Sequence, residues 1–451
     1  MNVHFIAIGG AAMHNLALAL HQKGMCVTGS DDVIFDPSKS RLDACGLLPI
    51  KMGWFPEKIT SSIDAIILGM HAKSDNPELI KAQELGLNIY SYPEFIYEQS
   101  KHKTRVVIGG SHGKTTITAM ILHVLNYHNK TVDYMVGAQL EGFDVMVQLT
   151  DENDFIVLEG DEYLSSPIDP RPKFHHYKPN IALLSGIAWD HINVFPTFED
   201  YKKQFSIFTN SIVEGGSISY NSEDQYVKEI VSASENPIRK FPYKTPQHTI
   251  EKGVTYLETP EGPMPLEIFG PHNLNNLAGA KWICQHMGID ELDFYEAIAS
   301  FKGADKRLEK IAEHQSSVIF KDFAHAPSKV KATTSAVKHQ YTQRRLLACL
   351  ELHTYSSLNE TFLFEYSQTL DSADEAVVFY SPNALKIKNL KAISSEQIAD
   401  AFQHKNLTVY TDPIAFQEFI NAQNYANTAL LLMSSGNYGG LDFDTLPNLI
   451  I

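Results

Sequence analysis

The stretch VVIGGSHGKTTITAM, residues 106–120, constrains the fold more than any other part of the chain. Val106, Val107 and Ile108 read as a buried β-branched strand, a glycine-rich turn ends it, and the residues from Lys114 onward favour a helix. That order is what an anion site needs. The N–H groups of Gly110, Ser111, His112 and Gly113 are free to face a phosphate at a helix N-terminus, Lys114 reaches the outer phosphates, and Thr115, followed by Thr116, offers a hydroxyl for Mg2+. The loop is shorter than the strict phosphate-binding form, because Ile108 stands where that form has its first glycine. The bland alternative is an ordinary βα turn, and the strand before and helix after weigh against it.

With 451 residues the chain exceeds one ordinary core, and roughly 150 residues per domain predicts three domains. Its 44% hydrophobic and 20% charged composition supplies several cores, and a formal net charge of -16 argues against a broad nucleic-acid or anionic-membrane surface. Cys26, Cys45, Cys284 and Cys349 form no C-x-x-C pair, so buried thiols in a reducing compartment are expected. The N-terminus lacks a basic leader region, and no apolar run approaches the ~20 residues of a membrane span. A cytoplasmic location follows as the default.

Residues 3–8, a turn at Gly9 and Gly10, a helix over 12–23 and MCVTGSD make a βαβ opening. Strands at 64–69 and 87–90 alternate with helices at 77–85 and 93–100, and the charged EQSKHKTR (98–105) reads as a linker. DFIVLEGDE (154–162) and NIALLSGIAWDH (180–191) are further strands, followed by helices at 273–287 and 291–301; strands near 317–322, 345–350, 376–380 and 429–433 close the chain. This alternation predicts an α/β protein with parallel sheets, divided at 1–100, 101–303 and 304–451.

Chemistry-bearing residues fall at predicted strand ends, where open α/β sheets hold ligands. LEGDEY supplies Glu159, Asp161 and Glu162, and WDH supplies Asp190 and His191, as oxygen and imidazole ligands for a cation. Each cluster alone reads more readily as a solvated strand end, and position after consecutive strands is what makes the ligand reading competitive. His272 and Asn276 in GPHNLNNLAGA share a helix face suited to a base edge, against a reading as cap and core histidine. KGADKRLE and FKDFAHAP bring Arg307, Asp322 and His325, with the arginine able to reach a γ-phosphate. The first turn, with Gly9, Gly10 and Asp31, admits an NAD reading or the diphosphate of another nucleotide.

Taken together and in order, GSHGKTT, LEGDEY, the D-H pair, HNLNN, KGADKR and DFAHAP resemble the Mur ligases of peptidoglycan synthesis and recycling. IGGAAM, VTGSD and DNPEL are similar to that family's muramate-binding branch, which disfavours NAD. The resemblance implies a Rossmann-like N-terminal domain for UDP-N-acetylmuramate, a central ATPase of the phosphate-loop type and a Rossmann-like C-terminal domain for the incoming amine. It places sugar contacts at Gly9, Gly10, Met13, Ser30, Asp31 and His71, with His325 also a substrate contact. ATP would lie on Gly110 to Thr116, His272, Asn276 and Arg307, Mg2+ on Thr115, Glu159 and His191, and catalysis on Lys114, His191, Arg307 and Asp322.

RPKFHHYKP (171–179) and LLMSSGNYGGLD (431–442) resemble the branch that adds a recycled L-alanyl-γ-D-glutamyl-meso-diaminopimelate tripeptide; addition of L-alanine is the alternative. Gly186 and Ala188 stand where the family has Asn and Glu, Ala326 replaces a second histidine, and Thr354 sits where the alanine enzyme has arginine. These departures sustain a third reading, a catalytically degenerate binding protein. Ser206 falls where some relatives carry a carbamylated lysine, so no such modification is expected.

Overall fold

The β-branched run before Gly110 forms the strand Thr104–Gly109, and its neighbours on both sides are parallel to it. Seven strands make this sheet, in the order Arg239–Tyr243, Ser217–Asn221, Ile181–Leu184, Thr104–Gly109, Phe155–Gly160, Asp133–Met135 and Val147–Gln148, with only the last pair antiparallel. The chain fills one side of Thr104–Gly109 before crossing to the other. The carboxyl end of that strand is therefore a topological switch point, where adjacent loops part and leave a crevice. The computed structural model describes residues 1–137, 143, 145–304 and 307–450.

Two compact units partition the chain: Met1–Ile187, Phe198–Tyr243 and Trp282–Ile289 in one, and Ala188–Thr197, Lys244–Lys281 and Asp290–Ile451 in the other. The first unit also holds a four-stranded parallel sheet in the order Cys26–Ser30, Asn2–Ile6, Ala65–Leu68, Ile89–Ser91. Its own switch point lies after Asn2–Ile6, where the helix Ala11–Gln22 begins.

In the second unit a six-stranded sheet runs Glu309–His314, Ser317–Asp322, Thr428–Met433, Arg345–Leu352, Glu375–Tyr380, Leu407–Tyr410, parallel except at the first edge. Its strands are apolar at consecutive positions because both faces are covered: Val318, Phe320, Ala348 and Leu350 enter one core, Ile319, Leu347 and Cys349 the other. A three-stranded antiparallel sheet (His248–Glu251, Val254–Thr259, Gly262–Leu266), absent from the sequence reading, belongs to this unit. Its first hairpin turns at Lys252 and Gly253, with φ of 51° and 80°.

Two expectations change. The linker shrinks to 101–103, since the helix Tyr92–Ser100 runs to Ser100 and the next strand starts at Thr104. Arg105, only 5% exposed, anchors this junction by donating to the carbonyls of Ser100, Lys101, Lys103, Tyr177 and Lys178. The strand expected over 180–191 ends at Leu184. Trp189 and Ile192 are apolar because they pack on the core of the second unit.

Candidate active site

Gly113 caps the helix Lys114–Tyr127 at φ 80°, and Gly110 has φ 135°; both conformations favour glycine. A β-carbon on Gly110 would lie 2.1 Å from Ser185 Oγ, so this turn also depends on close approach to the next strand end. Lys114 Nζ donates to Gly110 O at 2.6 Å and to Glu162 Oε2. Burial opposes the lysine's charge, yet Glu162, Asp161 and Glu159 together hold its pKa above the ordinary value. The Tyr201 hydroxyl bridges Ser111 Oγ (2.8 Å) and Glu162 Oε1 (3.0 Å).

Thr115 Oγ1 donates to Glu159 Oε1 at 2.7 Å, and Gly137 N donates to Glu159 Oε2 at 2.8 Å. The acidic run thus divides its contacts: Glu159 meets the Thr115 hydroxyl, Glu162 meets Lys114, and Asp161 pairs with Lys173. A hydroxyl next to a carboxylate at the start of the helix is an all-oxygen donor set of the kind Mg2+ takes. Thr116 is buried in the same first turn.

Gly186 lies beside this turn, its carbonyl accepting from Ser111 N at 2.9 Å. A β-carbon there would fall 2.2 Å from His112 Cε1, so the His112 ring occupies the space that an asparagine would need. Ile187 N donates to Asp224 Oδ2 at 2.9 Å and Asn221 Nδ2 to Ser185 O at 3.0 Å. These supports come from loops far along the chain and left no signal in the sequence.

At the first turn Gly9 N donates to Asp31 Oδ2 at 2.7 Å, and Asp32 N to Asp31 Oδ1 at 2.9 Å. Burial pushes the Asp31 carboxyl pKa up, opposed by the Gly9 N–H. A β-carbon on Gly9 would meet Ile34 Cγ1 at 2.8 Å and Asp31 Oδ2 at 2.9 Å. Gly10, Met13 and His71 meet here, a Gly10 β-carbon being 3.6 Å from Met13 Cγ and 3.8 Å from His71 Cδ2. Ser30 Oγ is buried with no hydrogen bond among the described residues.

The remaining predicted residues lie in the second unit. His191, at φ 55°, donates its backbone N–H to Asp190 Oδ1 (2.8 Å), and Lys329 Nζ is 3.8 Å from Asp190 Oδ2. Burial would raise the Asp190 pKa, but Lys329, His191 and His325 outweigh it and hold it low. His325 Nδ1 pairs with Phe323 O at 2.8 Å, and burial, with Lys329, pushes its pKa down to about 4. Asp322 accepts from Leu308 N (2.6 Å) and Ala324 N (2.5 Å), while the Arg307 guanidinium stacks 4.8 Å from the Phe323 ring. Asp305 and Lys306 of KGADKR lie outside the described residues.

His272 and Asn276 are one turn apart on the helix Pro271–His286. Burial holds the His272 pKa at about 4, and its Nδ1 is buried with no hydrogen bond among the described residues. A neutral imidazole with an open nitrogen can meet a heteroaromatic base edge. At the strand ends of the six-stranded sheet, Glu351 Oε2 accepts from Tyr438 N (2.8 Å) and Ser434 Oγ, pinning the SSGNYGG turn. Thr354 Oγ1 is tied to Ser357 N (3.1 Å) and Ser357 Oγ (3.0 Å). Glu351 was not singled out from the sequence, because the donors it holds in this turn, Ser434 Oγ and Tyr438 N, stand more than eighty positions away.

Three family models match the chain in succession: the catalytic domain of the Mur ligase family over residues 2–104, the Mur ligase middle domain over 108–284 and the Mur ligase glutamate ligase domain over 306–436. A UDP-N-acetylmuramate--L-alanine ligase of Sulfurihydrogenibium sp. is 30% identical over 417 residues, 90% of this chain and 88% of the relative. A UDP-N-acetylmuramate--L-alanyl-gamma-D-glutamyl-meso-2,6-diaminoheptandioate ligase of Haemophilus influenzae is 26% identical, covering 99% of each. Among solved structures, a murein peptide ligase from Psychrobacter arcticus has the same fold with TM-score 0.65 at 22% identity, covering 100% of this chain and 98% of the other.

Proposed function

From the chain's membership of the Mur ligase family, whose members are ATP-dependent ligases, we propose that it joins an L-alanyl-γ-D-glutamyl-meso-diaminopimelate tripeptide to UDP-N-acetylmuramate in the cytoplasm. The lactoyl carboxylate attacks the γ-phosphate of ATP, ADP leaves, and the peptide amine displaces phosphate from the resulting acyl phosphate. Bringing a carboxylate to a polyanion is the hard step, so cationic and hydrogen-bonding groups aimed at the transferring phosphoryl group dominate catalysis.

The observation that carries the ATP half is the turn itself. Lys114 waits on Glu162 and Gly110 O, and moves onto phosphate oxygens without leaving its anionic neighbours. Thr115 and Glu159 fit a Mg2+ ion, which when bound neutralises phosphate charge; His191 would serve a second ion. Arg307 acts on the γ-phosphate, and Asp322, with both oxygens held by backbone N–H groups, braces the 307–308 backbone beside it. His272 and Asn276 face adenine, and Gly9, Gly10, Met13, Ser30, Asp31 and His71 face the UDP-sugar. His325, neutral at pH 7, contacts substrate.

Support for a peptide acceptor comes from the stretches RPKFHHYKP and LLMSSGNYGGLD, the second of which carries the glycine-rich turn held by Glu351. Alanine addition is the second reading, favoured by the 30% identity to a relative of that name. Phosphate release from Mg-ATP and UDP-N-acetylmuramate separates the two: the proposal expects release with the tripeptide and none with L-alanine or without amine. Release with L-alanine alone would overturn the acceptor. No release with any amine, from folded protein that binds ATP, would overturn the enzyme reading.

A further inference from the structure

RPKFHHYKP supplies Arg171 and His176 to a charged cluster within the first unit. Glu94, Asp169 and His176 each direct a donor atom to one place, the three atoms lying within 4.8 Å of one another. Glu94 is positioned by its role in the cap of the helix Tyr92–Ser100: Oε2 accepts from Ser91 N and Ser91 Oγ, both at 2.8 Å, so Oε1 is left to the cluster. Asp169 sits at the start of the strand Asp169–Pro172. The His176 side chain is 5% exposed; its Nε2 lies 3.3 Å from Asp169 Oδ2 in a geometry that makes no hydrogen bond.

Two carboxylates face one resident cation. Arg171 lays its guanidinium across both, 2.7 Å from Asp169 Oδ2 and 3.4 Å from Glu94 Oε1, with Nε donating to Asp169 Oδ1 at 2.9 Å, while its side chain is 60% exposed. Burial lowers the His176 pKa, keeping the ring neutral and able to ligate, so the group carries a net negative charge with Arg171 in place.

The geometry points to a divalent transition-metal site formed by Glu94, Asp169 and His176, with Arg171 as the cation that holds the site when no metal is bound. One imidazole and two carboxylates suit Zn2+ or Co2+, with water completing the shell; Mg2+ prefers all-oxygen surroundings. A bound ion would tie the helix Tyr92–Ser100 to the segment 169–176 that follows Glu162. This inference stands on the cluster's geometry and does not depend on the ligase reading.

Co2+ titration of the full-length protein tests it, read by the visible d–d band, which is intense for four- or five-coordinate Co2+ and weak for an octahedral all-oxygen site. The expected result is a saturable band displaced by Zn2+, lost in His176→Ala and in Asp169→Asn, with Zn2+ raising Tm in the wild type and in neither of these two ligand variants. Arg171→Gln removes the competing cation and should bind Co2+ several-fold more tightly. Absence of the band in the wild type, or a band that survives both ligand substitutions, would overturn the site. Unchanged affinity in Arg171→Gln would overturn the role of the guanidinium.

Discussion

The turns after Asn2–Ile6 and after Thr104–Gly109 share a backbone plan: a parallel strand at a switch point, glycines, and a helix N-terminus. Each is occupied by an internal stand-in for a ligand. In the first, the Asp31 carboxylate accepts from Gly9 N; in the second, the Glu162 carboxylate accepts from Lys114, whose Nζ also donates to Gly110 O. Backbone geometry therefore decides that an anion can sit at both places, whereas side chains decide which one. The second turn brings a cation and a hydroxyl–carboxylate pair fit for a triphosphate with its metal. The first brings a buried acid with Met13, Ser30 and His71, a setting for a ligand rich in hydroxyls.

Removing the cation should break the second turn alone. Lys114→Ala is expected to lower phosphate release by about 10³-fold while calorimetry finds UDP-sugar binding intact; equal loss of both would refute the separation of the two turns. Because Glu162 is 1% exposed, the variant leaves a buried carboxylate without its cation, a cost of about 3–5 kcal/mol. Adding Glu162→Gln should recover most of that stability in urea unfolding and none of the turnover.

That second turn was legible in the sequence because its parts are consecutive: strand, glycines, lysine and helix all fall within fifteen positions. Its tuning was not. Lys114 meets Glu162 across 48 positions, and Glu351 meets Ser434 across 83, separations at which local pattern carries no register. Trp189 misled for a related reason. Its apolar character extended the apparent strand, yet its ring packs edge-on against Phe362, 6.1 Å between centroids, in the second unit. Parallel strands buried on both faces were recognisable as apolar runs, whereas the exposed antiparallel strands of 248–266 lacked that mark.

The packing of the second turn can be probed without touching its charges. Gly186→Ala places a methyl 2.2 Å from His112 Cε1, and overpacking of this kind costs about 1–3 kcal/mol. If the ring is what forbids the side chain, His112→Ala should relieve most of the penalty, and strictly additive effects in unfolding experiments would refute the contact. At the first turn, Asp31→Asn retains an acceptor for Gly9 N but loses the charge. It should weaken UDP-sugar binding about tenfold, the loss of one charge-assisted hydrogen bond, and leave ATP binding unchanged; an equal effect on ATP would erase the contrast.

The subtlest difference between the turns is the window of their pH dependence, since both groups lose stability as pH rises but in different ranges. Lys114 has a pKa above the ordinary 10.5 because Glu162, Asp161 and Glu159 outweigh its burial. The folded state keeps this proton longer than the unfolded chain, so its stabilisation is complete below 10.5 and fades as pH rises through the folded value. Asp31 is also raised, by burial, above the ordinary 3.8, but it is an acid: the folded state holds the proton more tightly, so stability falls as pH rises from 3.8 through the folded value and then levels. At neutral pH its charge is a cost carried for binding. Stability differences between wild type and Asp31→Asn should therefore shift in the variant's favour between pH 3.8 and neutrality and stay flat in alkali. Those between wild type and the Lys114→Ala, Glu162→Gln double variant should stay flat near neutrality and move only above pH 10.5. A shared window for both pairs would mean that the two turns do not carry opposite charges into the same backbone frame.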